Sequence, residues 1–211
     1  MKSTESFAAI ERFGKHIVTT SEAAVLWRST LTTASKRLSR LKASGLVQEI
    51  SSGVWAVGTS TPDILEVVPV LTAPYPSYVS MYSALFIHGM IDQIPRALHV
   101  VSLGRQKRVA TKVSSVVIHR LQPELFGGYE GQTSLRAGVA TAEKALFDTV
   151  VVLSARSGMV TLPEIDLPDS FDRGEIEYWS EKILASRVRT MTSRNLDRII
   201  DLADAGSSSL A

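Results

Sequence analysis

Residues 20–57 read TSEAAVLWRSTLTTASKRLSRLKASGLVQEISSGVWAV, and this stretch decides the fold. It divides into two short helices followed by two short strands. In the second helix Leu31, Ala34, Leu38 and Leu41 recur at helical spacing and are expected to line one side. Thr32, Thr33, Lys36 and Arg40 fall roughly opposite, with Arg37 on the flank, so the outer face carries hydroxyls and cations and no acid. Ser29 or Thr30 offers the N-cap. Gly45 supplies the stop, because a residue without Cβ enters the left-handed region at little cost. Residues 46–50, the turn Ser51-Ser52-Gly53 and residues 54–57 follow as strand, tight turn and strand.

Working outward, residues 4–13 carry an apolar stripe of Phe7, Ala8, Ile10 and Phe13, and Gly14 ends this first helix. Residues 16–18 form a short extended lead-in. Thr20 or Ser21 caps the helix at 22–27, whose Ala23, Ala24, Leu26 and Trp27 face a core. Arg28-Ser29-Thr30 makes the turn. Helix, helix and two-stranded wing is the order of a winged helix-turn-helix. Duplex DNA asks such a helix for cations against phosphates and short polar groups against base edges. On this reading Thr32, Thr33 and Lys36 face base edges. Arg37, Arg40 and Lys42 hold phosphates, with Arg28 and Ser29 doing so from the turn. The wing tip has no cation and is expected to graze the backbone or add little. The alternative is an ordinary small helical bundle with a hairpin, whose cations form a solvated face.

The chain has 211 residues, 45% of them apolar, enough to bury a core. It contains no cysteine, which excludes disulfides and thiolate metal sites. The opening residues lack the apolar run of a signal peptide, and no run reaches the ~20 apolar residues that span a bilayer. The expectation is a cytoplasmic protein with no membrane partner. A net charge of +2 says little, but its distribution says more. Residues 1–58 hold eight Lys and Arg against four Glu. Residues 96–136 are also basic, whereas residues 164–182 are acidic. A basic head on a less basic body suggests a polyanion-binding module attached to something else.

Gly58-Thr59-Ser60-Thr61-Pro62 is the candidate linker, dividing a head (1–58) from a body (59–211). Residues 63–71 suit helix or strand; Asp63 as a cap favours helix, and Pro69 argues for an early end. Ser77 is placed as the cap of a helix over 78–88, closed by Gly89. Residues 98–103 and 113–121 read as strands, separated by Gly104-Arg105-Gln106-Lys107-Arg108, a polar turn that either touches phosphate or is merely solvated. Residues 124–129 and 133–139 are candidate strands. Thr141 caps a helix over 142–155, with Glu143 and Lys144 as a helix-end charge pair. Helices over 175–184 and 189–203 follow, and residues 206–209 are expected to fray. The class is α+β: a winged helix-turn-helix, then a mixed α/β domain with a small sheet and packed helices.

No catalytic, cofactor-binding or metal-binding residue is assigned. His16, His88, His99 and His119 are isolated in sequence, and no HExxH, GxSxG or GxxxxGK[ST] occurs. The acids of residues 164–181 show no spacing that pairs two for proton transfer.

Four stretches together resemble AbiEi-type antitoxins, the regulator half of a bicistronic toxin–antitoxin pair. They are the N-terminal segment above; residues 74–89, PYPSYVSMYSALFIHG; the strand-and-glycine region containing His119, Leu125-Phe126 and Gly128; and residues 140–148, ATAEKALFD. The resemblance covers residues 21–155. It implies a first domain that binds inverted repeats in its own promoter and represses the operon, reading DNA with residues 30–43. It implies a second domain that neutralises a nucleotidyltransferase-like toxin, without a stable complex. Two alternatives stand beside it: a ligand-responsive winged-helix regulator with no toxin partner, and an enzyme modifying a partner protein, with the winged helix as docking module.

Overall fold

The computed structural model describes residues 3–156 and 159–208. The chain is a mixed α/β structure with a three-stranded and a six-stranded sheet, compatible with the α+β class. It begins with helix α1 (Ser3–Arg12), strand β1 (Ile17–Thr19), helix α2 (Thr20–Leu26) and helix α3 (Leu31–Ala43). Strands β2 (Val47–Ser51) and β3 (Val54–Val57) follow, and β3 lies between β1 and β2, antiparallel to both. The lead-in at 16–18 is thus a sheet strand.

Local chemistry fixes each boundary. Thr19 and Glu22 form a reciprocal capping box at the start of α2: the Thr19 hydroxyl accepts from the Glu22 N–H, and the Glu22 carboxylate accepts from the Thr19 N–H at 2.7 Å. Thr30 caps α3 by accepting from the Thr33 N–H. Trp27 donates its indole N–H to the Ser6 carbonyl at 3.1 Å, pinning α1 to the turn. Ile10, Val18, Ala23, Trp27, Ala34, Leu38, Leu41, Val47 and Trp55 close one core beneath these helices. Leu31 does not join it: the residue is 58% exposed, so the apolar stripe of α3 starts one turn later, at Ala34.

Helix α4 (Ile64–Thr72) runs through Pro69 rather than ending at it. Proline has no N–H for the carbonyl four residues back. That carbonyl, on Leu65, accepts from the Ala137 N–H at 2.9 Å, so the helix continues with the group satisfied. Residues 77–79 correct the expectation of a helix starting at Tyr78. They form strand β4 (Ser77–Val79), held between two neighbours, and the Ser77 hydroxyl is occupied by Thr72 at 2.7 Å. Helix α5 (Met81–Ile87) begins only after it. Strands β5 (Leu98–Ser102), β6 (Lys107–Ala110), β7 (Ser115–Arg120), β8 (Tyr129–Glu130) and β9 (Gly138–Ala140) complete the sheet in the order β6-β7-β5-β4-β9-β8. The basic turn at 104–108 therefore runs into an edge strand. Its lysine and arginine suit an edge, where charge discourages further pairing. The expected strands at 124–129 and 133–139 shrink to a 3-10 turn (Pro123–Leu125) and the short β8 and β9.

Helix α6 (Ala142–Ser154) lies against one face of this sheet, buried on almost every side by α5, α7 (Arg173–Glu181) and α8 (Ser186–Ser208). Helix α8 includes residues 206–208 of the expected frayed end; Ser209 lies outside the described residues. The other face of the large sheet packs Val79, Val100, Val116 and Ile118 against Val67, Val68 and Leu71 of α4. Ile17, Ile50, Val54 and Ala56 of the small sheet join the same cluster. The hydrophobic core thus continues across residue 58, and the Lys112 N–H donates to the Ile50 carbonyl at 2.9 Å over the same seam.

Glu143 and Lys144 are not a helix-end charge pair. Lys144 is wholly buried and bonds Asp148, one turn on and equally buried. Asp148 also accepts from the Tyr78 hydroxyl at 2.9 Å and the Ser80 hydroxyl at 2.7 Å. The Lys144 ammonium sits 4.5 Å from the centre of the Trp179 ring. Gly128 leaves room for its stem: a Cβ there would lie 2.9 Å from Lys144 Cγ. Glu143 turns away to accept from the Asp172 N–H at 2.9 Å.

Candidate nucleic-acid interface

Helix α3 presents its outer face to solvent. Thr32, Thr33, Lys36 and Arg40 are exposed along it, together with Ser35 and Ser39. The two serines belong to the face but were not singled out from the sequence. No carboxylate lies on α3. The structure thus groups four of the sequence-assigned residues on one open surface.

The other four differ. Arg37 is half-buried; its guanidinium lies 5.7 Å from the Trp27 ring centre, and its Nη1 is buried without a hydrogen-bond partner. It lies over the core's edge more than outward. Lys42 is held at 2.6 Å by Glu49 on β2, an acid the sequence reading did not pair with it. Ser29 is half-buried, with its Oγ buried and unpartnered.

Arg28 stands apart in its backbone. It is exposed and left-handed, with φ +47°. The Arg28 N–H donates to the Val25 carbonyl at 3.1 Å and the Ser29 N–H to the Ala24 carbonyl at 2.9 Å, the double bond of a Schellman ending. Glycine is the usual occupant of that position. An arginine kept there at a conformational cost is consistent with a job for its side chain. Arg28→Gly is expected to raise stability by about 0.5–1 kcal/mol. The same change should weaken binding of duplex DNA; denaturant melts and gel shifts on the one variant read both.

The turn Ser51-Ser52-Gly53 between β2 and β3 carries no cation, but exposed Lys112 approaches it through its bond to Ile50. Sixty-two positions of sequence separate the two residues, so no local pattern could have joined them. Two exposed apolar residues flank the turn between α2 and α3, Val25 at 78% and Leu31 at 58%. At a groove such groups suit the methyl of thymine.

The histidines are not all isolated in space. His99 and His119 share one face of β5 and β7, with Nδ1 of His99 3.1 Å from Nε2 of His119 and the rings stacked at 5.2 Å. Burial, with the positive field of Arg108, holds His99 below the usual imidazole range. Burial, then His99 and Arg156, push His119 down to about 4. His119 therefore binds a proton less readily folded than unfolded. Its contribution to stability is complete above pH ~6.5 and is lost as pH falls towards ~4. Acidification across that window is expected to lower stability by on the order of 2 kcal/mol through this group, and His119→Gln should flatten that part of the profile, as measured by urea melts at several pH values.

Among the described residues no group of three or more histidines and carboxylates could hold a metal ion. No described helix is long and apolar enough to cross a membrane. Compared with protein-family models and with curated proteins, the chain matches none.

Proposed function

We propose that the chain is a DNA-binding autorepressor whose head is a winged helix-turn-helix, and that it serves as the antitoxin of a bicistronic pair. One observation carries the DNA reading. The face of α3 that the core leaves free is lined by hydroxyls and by Lys36 and Arg40, with no acid, on the second helix of a helix–turn–helix that a hairpin follows. Thr32, Thr33 and Lys36 read base edges in the major groove. Arg40 and Arg28 hold phosphates, and Arg37, Lys42 and Ser29 take supporting places at the rim. The antitoxin role, the nucleotidyltransferase-like toxin and the cytoplasmic setting rest on the resemblance carried by residues 74–89 and 140–148.

Two assays test the two halves separately. Full-length protein is expected to shift a duplex spanning its own upstream inverted repeats and to leave a scrambled duplex unshifted. Co-expression with the adjacent reading frame is expected to restore growth. A failed shift removes the repressor reading; a failed rescue removes the antitoxin reading alone.

A second reading, a ligand-responsive regulator without a toxin partner, is favoured by a cleft of about 310 Å3 where β1 and α2 meet α4. Lys15, His16, Glu22, Glu66 and Leu135 are among its walls. Release of the operator by a small metabolite, with no rescue of a neighbouring toxin, would favour it.

A further inference from the structure

A different cleft, of about 540 Å3, opens where α5 and the end of α6 leave part of the large sheet uncovered. It shares no residue with α3 or with the cleft beside β1. Its walls include Tyr82, His99, Lys107, Arg108, His119 and Arg156, and no carboxylate. Two exposed cations flank it from two directions: Arg108 on the edge strand β6, whose partner Val117 lies on the cleft face, and Arg156 just past α6; the side chain of Lys107, opposite Ile118, belongs to the other face of the sheet. Gln106 accepts from Arg156 at 2.9 Å and so holds the guanidinium at the rim.

The depth of the cleft is aromatic. Tyr82 meets His99 edge-on at 5.4 Å, and His99 stacks on His119. His119 is only 5% exposed, and its Nδ1 has no hydrogen-bond partner. Native folds rarely leave a buried polar nitrogen unpaired, and such a group at a cleft is a common sign of a missing ligand or water. Burial is the larger cause that depresses both imidazoles; the positive fields of Arg108 on His99 and of Arg156 on His119 add to it, and an anion would relieve those fields.

We propose that this cleft binds a small phosphate monoester, its phosphate held by Arg108 and Arg156 and its body resting against the Tyr82–His99–His119 wall. Guanidinium groups match phosphate oxygens with paired, charge-assisted hydrogen bonds, and a flat organic group gains contact from the aromatic wall. The cleft has room for a ligand the size of a mononucleotide.

The test uses full-length protein with isotope-labelled histidine, titrated with inorganic phosphate, with adenosine monophosphate, and with sodium chloride at matched ionic strength. The ring signals of His99 and His119, assigned through His119→Gln, are expected to move saturably with both phosphate probes and not with chloride. Adenosine monophosphate should bind at least as tightly as inorganic phosphate. Arg108→Ala with Arg156→Ala should weaken binding at least about tenfold, while Lys36→Ala with Arg40→Ala should leave it unchanged. Arg108→Gln, a single change at an exposed edge, is the second variant should the pair fail to fold, and it too should weaken binding. The proposal is overturned by an absence of saturable shifts in the millimolar range, by equal affinity in the variants, or by ring shifts that only duplex DNA produces. None of these outcomes depends on whether α3 reads an operator.

Discussion

Asp148→Ala is expected to destabilise the protein by about 3–5 kcal/mol, a large share of the 5–15 kcal/mol that holds a typical domain together. Asp148 is wholly buried and accepts from three donors: Lys144, Tyr78 and Ser80. Removing it strands an ammonium in an apolar core with no water to take over. Burial already pulls the Asp148 carboxyl upward and the Lys144 ammonium downward from their ordinary values, so each charge depends on the other. Removing both charges is a different matter. Lys144→Met with Asp148→Leu should recover part of the loss, because it removes the stranded ammonium but leaves the buried Tyr78 and Ser80 hydroxyls without their acceptor. Urea unfolding of Lys144→Met, of Asp148→Leu and of the double variant closes a mutant cycle. A single variant within about 1 kcal/mol of the parent would show that the pair carries little.

Lys36→Ala combined with Arg40→Ala is expected to lower operator affinity by about a hundredfold or more, from two lost charge-assisted contacts. The slope of log affinity against log salt should fall by about one unit for Arg40, and by about one more if Lys36 also meets a phosphate. Both side chains are exposed and outside the core clusters, so the melting curve should hold to within about 0.5 kcal/mol. Lys42→Ala is the internal comparison. Its ammonium is engaged by Glu49, so the loss should be clearly smaller. Equal affinity of the double variant and the parent, measured at two salt concentrations, would remove α3 as the reading helix.

The order of the first six elements was legible because each depends on near neighbours, among them a threonine cap and a glycine stop; the cap of α2 was placed at Thr20 or Ser21, whereas Thr19 holds it with Glu22. The outer face of α3 was legible for the same reason. What failed was set at long range. Tyr78 was placed in a helix because its own stretch favours one, yet β5 and β9 pair on either side of it. Lys144 looked like a surface charge in a first turn until α7 closed over it with Trp179. His99 and His119 are twenty positions apart and become neighbours only through the parallel pairing of β5 with β7. Leu31 was misplaced by one turn because periodicity shows which residues share a stripe, not where the stripe begins to be covered.

Ile17, Ile50, Val54 and Ala56 of the small sheet share their packing with α4 and the large sheet. A head mounted in this way is a bracket, not a pendulum. Its bearing on the body is settled when the chain folds, so two copies on adjacent half-sites would have to be spaced by the body and not by a swivel. Twist or bend imposed by a seated duplex would be transmitted through α4 into the six-stranded sheet, and a push on that sheet would return along the same route.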